Sequence, residues 1–448
     1  MSEIRMKRGW NVPLSGAPAE TVVDAARPVT VSVRPNEFRL VKPRLLVKEG
    51  DRVSAGQPLF QDRERAEVQF PSPGGGEVAE VRFGPRRVCE EIVIRLDAQE
   101  TWAEHRPHSP ADARALNRAQ VVEMMLDSGL WTSLRRRPFS TIPDPTATPA
   151  GIFVAGSDNS PLAASPALAM QGRDEDFQLG VDLLAKLTEG RVHVCLLKGK
   201  SVPALVNAQN CEKHTFSGPY PAGLIEAQIH YVLPHKKGRE VWYLDCQDVA
   251  DLGEFARTGR YPVNRVVAVG GEGATSPQHY RTRRGVSCAH LDPKASPAAN
   301  RFVSGSVLSG TQVRCDSGLG HYDAKFSVIP EGDDADFVGW MLPGEDRVSR
   351  FRTFASTLTR PQAPRMTANL NGSVRAHIAT GIYEDVCAVD ILPAYLMRAL
   401  HVGDIEEAES LGLEDCAECG LCTFVCPSKI DFQGIIVRGI ESVLKEDE

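Results

Sequence analysis

Glu240-Val-Trp-Tyr-Leu-Asp-Cys-Gln-Asp-Val-Ala-Asp-Leu-Gly-Glu-Phe-Ala-Arg-Thr-Gly259-Arg-Tyr-Pro-Val-Asn-Arg265-Val-Val-Ala-Val-Gly-Gly271 sets the fold class. Residues 240–245 are rich in β-branched and aromatic side chains and read as a strand. Asp248 to Arg257 reads as a helix that stops near Gly259, and Arg265 to Gly271 is a second apolar strand. The same alternation extends upstream. Ile152 to Ala155 reads as a strand leading to the turn Asp158-Asn-Ser-Pro161, Asp176 to Leu187 as a helix ending at Gly190, and Arg191 to Leu197 as the next strand. Strands alternating with helices predict βαβ units and a largely parallel sheet. Two glycine signals here fail as nucleotide sites. Gly270-Gly271-Glu272-Gly273 is not G-x-G-x-x-G and Pro277 breaks any helix after it, and Lys198-Gly-Lys-Ser201 lacks the glycine that opens a P-loop. Phe216-Ser-Gly-Pro-Tyr-Pro-Ala-Gly223 reads as an ordered loop.

Upstream of the alternation, residues 1–100 read as all-β, with segments at Arg39–Lys42, Arg44–Lys48 and Glu91–Arg95 and turns at Glu49-Gly50-Asp51 and Pro73–Gly76. Val47 to Phe60 resembles the barrel-sandwich hybrid fold of biotinyl and lipoyl domains. Those domains present a modified lysine on a hairpin tip, but the matching stretch Arg63–Phe70 has none, so an assembly role is expected rather than a swinging arm. A helix is predicted over Ala115 to Leu130. It is followed by Arg135-Arg136-Arg137-Pro138, where a flavin phosphate site would need glycines for close backbone approach. The arginines read as a solvated or interface face.

Downstream, residues 262–335 return to short strands, including Phe302–Gly310 and Ala324–Ile329, while Arg350 to Ile378 shows no strong period and reads as β and loop. A helix is predicted over Leu392–Leu400, and a second begins at Gly403-Asp404, with Asp404 and Glu407 forming a capping pair and Gly412 closing it. Then comes Cys416-Ala-Glu-Cys419-Gly-Leu-Cys422-Thr-Phe-Val-Cys426-Pro427, a C-x2-C-x2-C-x3-C-P run of the iron–sulfur type, followed by a last helix with Ile436, Ile440, Val443 and Leu444 on one side. Cys416, Cys419, Cys422 and Cys426 are the candidate metal ligands. In two-cluster proteins the fourth cysteine of such a run serves the other cluster, so the fourth ligand here is either Cys426 or a distant cysteine such as Cys387. A 4Fe–4S cluster, a zinc site and a relic loop without metal are the three readings of the run.

With 448 residues, 42% of them hydrophobic and 24% charged, the chain has the composition of a multidomain globular protein. A net charge of −7 without a basic block argues against nucleic acid as a partner. The start lacks the apolar core of a signal peptide, and no apolar run approaches the ~20 residues a membrane span needs. Any membrane role is therefore expected through a partner. The cysteines outside the run are scattered singly and read as reduced thiols of a cytoplasmic protein.

Phe216–Gly223, Asn264-Arg-Val-Val-Ala-Val-Gly-Gly271, Ser304-Gly-Ser-Val-Leu-Ser-Gly310, Asp390-Ile-Leu-Pro393 and Leu421-Cys-Thr-Phe-Val-Cys-Pro427 together resemble, in order and almost end to end, the A subunit of the bacterial sodium-translocating NADH:quinone oxidoreductases. That family is related to the C subunit of the Rnf complex and to the flavin-bearing subunit of complex I. The resemblance implies an α/β multidomain fold: a barrel-sandwich hybrid β module over 1–100, an α/β domain over 101–262, a β-grasp domain of the soluble-ligand-binding type over 263–335, and a linker with a helical C-terminal domain over 336–448. It implies a peripheral subunit on the cytoplasmic face of the inner membrane. The partner subunits would carry the flavins and the Na+ path, quinone would be the substrate of the complex, and this chain would have no flavin or NAD site and no catalytic residue of its own. Family members commonly keep only the tail of the cysteine run. The extra Cys416 and Cys419 therefore keep two alternatives open: an Rnf-like electron-transfer subunit with a 4Fe–4S cluster, and an assembly scaffold.

Overall fold

The computed structural model describes residues 2–236, 238–332, 339, 341–345, 347–351, 354–359 and 366–446. Its centre is a six-stranded sheet in the order Ser2–Arg5, Glu212–Ser217, Arg191–Leu197, Gly151–Ala155, Val241–Asp245 and Arg135–Arg137. All neighbours are parallel except the last, which runs antiparallel. Strands covered on both faces must be apolar throughout, and Ile152, Phe153 and Val154 are buried without alternation.

The helix after Val241–Asp245 spans Cys246–Thr258; Asp245 caps it by accepting from the Gln247 N–H at 2.9 Å, and Gly259 closes it. This helix packs on Asp174–Leu184 so closely that a Cβ on Gly180 would collide with the Val249 carbonyl, and one on Gly253 with that of Asp176. The helix predicted over Ala115–Leu130 is shorter, Arg118–Asp127, and a separate short helix, Pro110–Ala115, precedes it. Asn117 divides them because it and Gln120 form a reciprocal capping box, which starts a new helix instead of continuing the old one.

Toward the N-terminus, two small antiparallel sheets enclose a core containing Phe38, Phe60, Phe70, Val78, Ile92 and Ile94. The rings of Phe60 and Phe70 stack with centroids 4.3 Å apart. The strand expected at Arg39–Lys42 is a turn, with Val41 N–H donating to the Phe38 carbonyl. Insertion of Phe38 against Phe70, 4.4 Å between centroids, bends the chain there, and the strand starts at Pro43. The first residues do not stay with these sheets. Ser2–Arg5 joins the central sheet, and Val22–Asp24 pairs with His279–Arg281 in a third sheet.

That third sheet runs in the order Thr311–Val313, Asn300–Ser304, Lys325–Pro330, Asn264–Gly270, Gln278–Arg283, Val22–Asp24, with a one-turn helix at Cys288–Leu291. Its middle pair, Asn264–Gly270 and Lys325–Pro330, is parallel and is flanked by antiparallel partners. In the Arg350–Ile378 stretch the described residues form one short helix, Ser356–Thr359, and irregular backbone; the rest of it lies outside the described residues. The C-terminal part is helical: Pro393–Val402, Ile405–Ser410, Leu421–Val425 and Phe432–Glu446. Asp404 caps the second of these, accepting from Glu407 N–H at 3.0 Å as its spacing predicts. Among the described residues no helix is long and apolar enough to cross a membrane.

A buried ion network joins the second and third units. Arg265 and Arg284 of the third unit both meet Asp248 at 2.6 Å, and Arg284 also bonds Asp251. All four side chains are buried. Burial raises the Asp248 carboxyl, but Arg265 and Arg284 outweigh it and hold the group well below the usual carboxylate range. Asp248→Asn leaves two buried guanidinium groups under-compensated and is expected to cost about 3–5 kcal/mol in urea unfolding at pH 7. Because the folded pKa is depressed, this contribution is complete above about pH 4 and lost as the pH falls below it, so the variant's deficit should shrink in acid.

Candidate metal centre

The cysteine run is shaped by local backbone. A 3-10 turn at Leu413–Asp415 delivers Cys416, and Gly420, with φ of 76°, opens the short helix Leu421–Val425 that carries Cys422. Gly420 must be glycine twice over: its φ is left-handed, and a Cβ would strike the Leu308 carbonyl. Glu418 also has positive φ, 50°, and is pinned by a two-pronged ion pair from Arg39.

Three of the candidate cysteines, Cys416, Cys419 and Cys422, face one hollow, and the fourth thiol on its wall is Cys387. Cys387 sits just before the helix Pro393–Val402, with its Sγ 3.4 Å from the Val389 carbonyl. The remaining wall is mostly apolar, including Ile391, Phe432 and Ile436. Cys426, the fourth candidate by spacing, does not line the hollow. Its buried sulfur lies 3.3 Å from the Tyr383 hydroxyl and accepts from the Ile430 N–H at 3.4 Å.

The thiols around the hollow feel one another. Burial pushes Cys416, Cys419 and Cys387 up to about 12 and Cys422 well above the usual thiol range. Negative charge on Cys419, Cys387 and Cys416 adds to the effect at Cys422. Four thiolates are stable together here only around compensating cations. Backbone amides beside the sulfurs already favour the charged form: that of Glu418 at Cys416, and those of Leu421 and of Cys419 itself at Cys419. Amide-to-sulfur hydrogen bonds of this kind are part of how iron–sulfur sites are stabilised and tuned. The spacing bears on the metal. No three of the described cysteines gather their sulfurs within 4.8 Å of one another. A single tetrahedral zinc with Zn–S bonds of about 2.3 Å would need sulfurs roughly 3.8 Å apart. The wider set around a hollow suits a multi-iron cluster.

The loop is held from outside by residues that local sequence does not mark. Arg137, buried, donates to the carbonyls of Glu414 and Cys416, the latter at 3.1 Å. Tyr220, in the Phe216–Gly223 loop, donates its hydroxyl to the Cys419 carbonyl at 2.8 Å. The arginine run is therefore an internal interface and not a solvated face. Arg135 lies 4.5 Å over the rings of both Tyr243 and Tyr322, and Arg136 bonds Thr141 at 2.7 Å.

A second ligand-type cluster escaped sequence reading. His193 and His214 lie on adjacent parallel strands with their ring nitrogens 3.0 Å apart, and Glu212 reaches His193 at 3.7 Å. Burial, then the neighbouring His214, lowers His193 to about 4, against the pull of Glu212. Two neutral rings, one donating its N–H to the bare nitrogen of the other, account for this contact. Only sheet pairing brings the two histidines together, so no short spacing could have signalled it.

A family model described as the NqrA N-terminal barrel-sandwich hybrid domain matches residues 4–97, one described as the NqrA second alpha/beta domain matches 116–261, and a 4Fe-4S dicluster domain model matches 383–431. A protein of Neisseria meningitidis serogroup B, named as the A subunit of a Na(+)-translocating NADH-quinone reductase, is 38% identical over 448 residues, covering 99% of this chain and 100% of that one. Proteins of the same name from Shewanella amazonensis and Yersinia pestis are 38% and 37% identical with the same coverage. Likeness to solved structures is weak: an NAD+-reducing [NiFe]-hydrogenase in its H2-reduced state gives a TM-score of 0.38 at 13% identity over 77% of this chain and 68% of that chain.

Arg137→Ala removes the donor to the Glu414 and Cys416 carbonyls, a loss of order 1–3 kcal/mol. Alkylation of the loop cysteines in the metal-free chain is expected to quicken roughly tenfold, as loop opening becomes easier by that energy. Mass-spectrometric labelling rates at Cys416 and Cys419 measure this; an unchanged rate means that the loop is held by other contacts.

Proposed function

The chain belongs to the A-subunit family of the Na+-translocating NADH-quinone reductases, and we propose that it is a peripheral subunit of this complex that also carries a 4Fe–4S cluster in its helical C-terminal part. The complex takes electrons from NADH to quinone and couples their flow to Na+ export. Translocation needs a path through the bilayer, so the Na+ route and the flavins belong to partner subunits. The chain docks on those partners at the cytoplasmic face. The observation that carries this reading is similarity to the relatives along essentially the whole length.

Within the same reading, residues 263–335 form a β-grasp domain of the soluble-ligand-binding type. Support comes from the order of the third sheet, in which two antiparallel pairs meet at a parallel central pair with a short helix between them. The β module over 1–100 and the α/β domain over 101–262 act as the frame, and the segment from 336 onward presents the cysteines.

The cluster reading rests on convergence: Cys416, Cys419 and Cys422 open on one hollow, with a further thiol on its wall. A 4Fe–4S cluster would supply one-electron transfer there. Cys416, Cys419 and Cys422 would bind iron, the Glu418 and Leu421 amides would favour the charged sulfurs, and Ile391, Phe432 and Ile436 would exclude water. Each raises or lowers the reduction potential through hydrogen bonding and burial.

Two measurements test this. Membranes lacking the subunit should regain NADH-driven quinone reduction when the chain is restored; restoration without effect on that rate overturns the place in the complex. Anaerobic reconstitution of the purified chain with iron and sulfide should yield about four irons per chain and a reduced-state EPR signal, both abolished by replacing Cys416, Cys419 and Cys422 together with alanine. A chain that binds no iron defeats the cluster reading and leaves the place in the complex intact.

A further inference from the structure

We infer that Cys387, and not Cys426, is the fourth cluster ligand, and that the chain is built to hold one four-iron cluster and not two. This rests on the cluster reading above and specifies it. Cys387 stands on the wall of the hollow with Cys416, Cys419 and Cys422, although it is remote from them in sequence. Cys426 closes the C-x2-C-x2-C-x3-C-P run but belongs to a different environment. The residue is 1% exposed, and its sulfur is engaged by the Tyr383 hydroxyl at 3.3 Å and the Ile430 amide at 3.4 Å. Tyr383 in turn packs on Phe432, their centroids 4.4 Å apart. An apolar group that includes Tyr383, Leu421, Val425 and Phe432 surrounds Cys426, and the other thiols packed against that group among the described residues are Cys419 and Cys422, which already line the hollow, so no second set of four is available there.

The arrangement has a physical rationale. Residues 419 and 422 flank the left-handed Gly420 and the first turn of the helix Leu421–Val425, which points both thiols toward the hollow. Cys426 is the C-cap of that helix, beyond its last turn, and does not line the hollow. A run of this kind therefore supplies three thiolates to its own cluster and sends the fourth elsewhere, as in two-cluster proteins. The four-ligand set must then be completed from a distant segment, and Cys387 occupies that position. The match to a dicluster model spans both Cys387 and the run, yet the stretch contains only Cys387, Cys416, Cys419, Cys422 and Cys426, enough for one complete set and one cysteine over. Cys426 is then a packing and hydrogen-bonding residue.

The segment carrying Cys387 is positioned independently of any metal. The Cys387 amide donates to the Tyr383 carbonyl at 2.9 Å, and Tyr231 donates its hydroxyl to the Ala388 carbonyl at 2.6 Å. The fourth thiol is thereby held against the hollow by the α/β domain, so ligation requires no large rearrangement.

The test compares full-length Cys387→Ala and Cys426→Ala chains with the wild type after anaerobic reconstitution with ferrous iron and sulfide, reading iron per chain and EPR. Cys426→Ala is expected to keep about four irons and the wild-type reduced signal. Cys387→Ala is expected to fall to about three or fewer, with a three-iron signal in the oxidised state or no signal. Cys426→Ser, which retains a hydrogen-bonding atom beside Tyr383, guards against a packing artefact. Full iron in Cys387→Ala overturns the inference, as does iron loss in both Cys426 variants; in either case the cluster itself stands. A wild-type chain that takes up no iron removes the cluster reading and this inference together.

Discussion

The buried pairing of Arg265 and Arg284 with Asp248 and Asp251 sets how the units of the molecule sit against each other. The acids come from the helix Cys246–Thr258 of the central α/β unit, and the arginines from the strand Asn264–Gly270 and from the residue just past Gln278–Arg283 of the sheet that follows it. A buried ion network of this type contributes little net stability compared with apolar packing, but it is strongly destabilised when one member is lost. Its effect is to fix orientation: the two units have one relative placement in which all four charges are compensated. Asp251 extends the network to Arg173, so the adjoining helices are tied into the same set.

That fixed placement allows the N-terminal segment to act as a strap. Ser2–Arg5 lengthens the central sheet, Val22–Asp24 lengthens the next one, and only then does the chain enter its own β module. The module is in turn locked to the third unit through Glu91, which accepts from Ser32, Ser317 and the Gly318 amide. Units that are consecutive in sequence thus share strands, and boundaries drawn by composition cut through sheets that the backbone treats as continuous.

The cysteine loop is a product of the same frame. Arg39 comes from the β module, Arg137 and Tyr220 from the α/β unit, and together they hold Glu418 and the carbonyls of Glu414, Cys416 and Cys419. A loop that holds a non-glycine residue, Glu418, at positive φ is costly in isolation. Clamps from two other units make it the stable conformation and aim three sulfurs inward.

Local sequence dictated most of the elements and pointed to the family. Strands covered on both faces, such as Gly151–Ala155, are apolar along their length, helices such as Ile405–Ser410 announce their starts through a capping side chain, and the two-residue gaps of Cys416, Cys419 and Cys422 are a local geometry written locally. Short stretches such as Phe216–Gly223 and Leu421–Pro427 carried the family resemblance, and full-length similarity to the A-subunit relatives bears it out. Where a competing local contact intervened, as with the Asn117–Gln120 box that starts the predicted helix only at Arg118, periodicity misjudged the boundary. Tertiary packing, by contrast, settled that the arginine run is an internal clamp, that His193 meets His214, and that Cys387 rather than Cys426 shares the hollow with the other three thiols. The cause is the same in each case: spacing in sequence governs which groups meet within a turn or two of backbone, whereas meetings across many residues depend on which apolar faces and buried charges pack against each other.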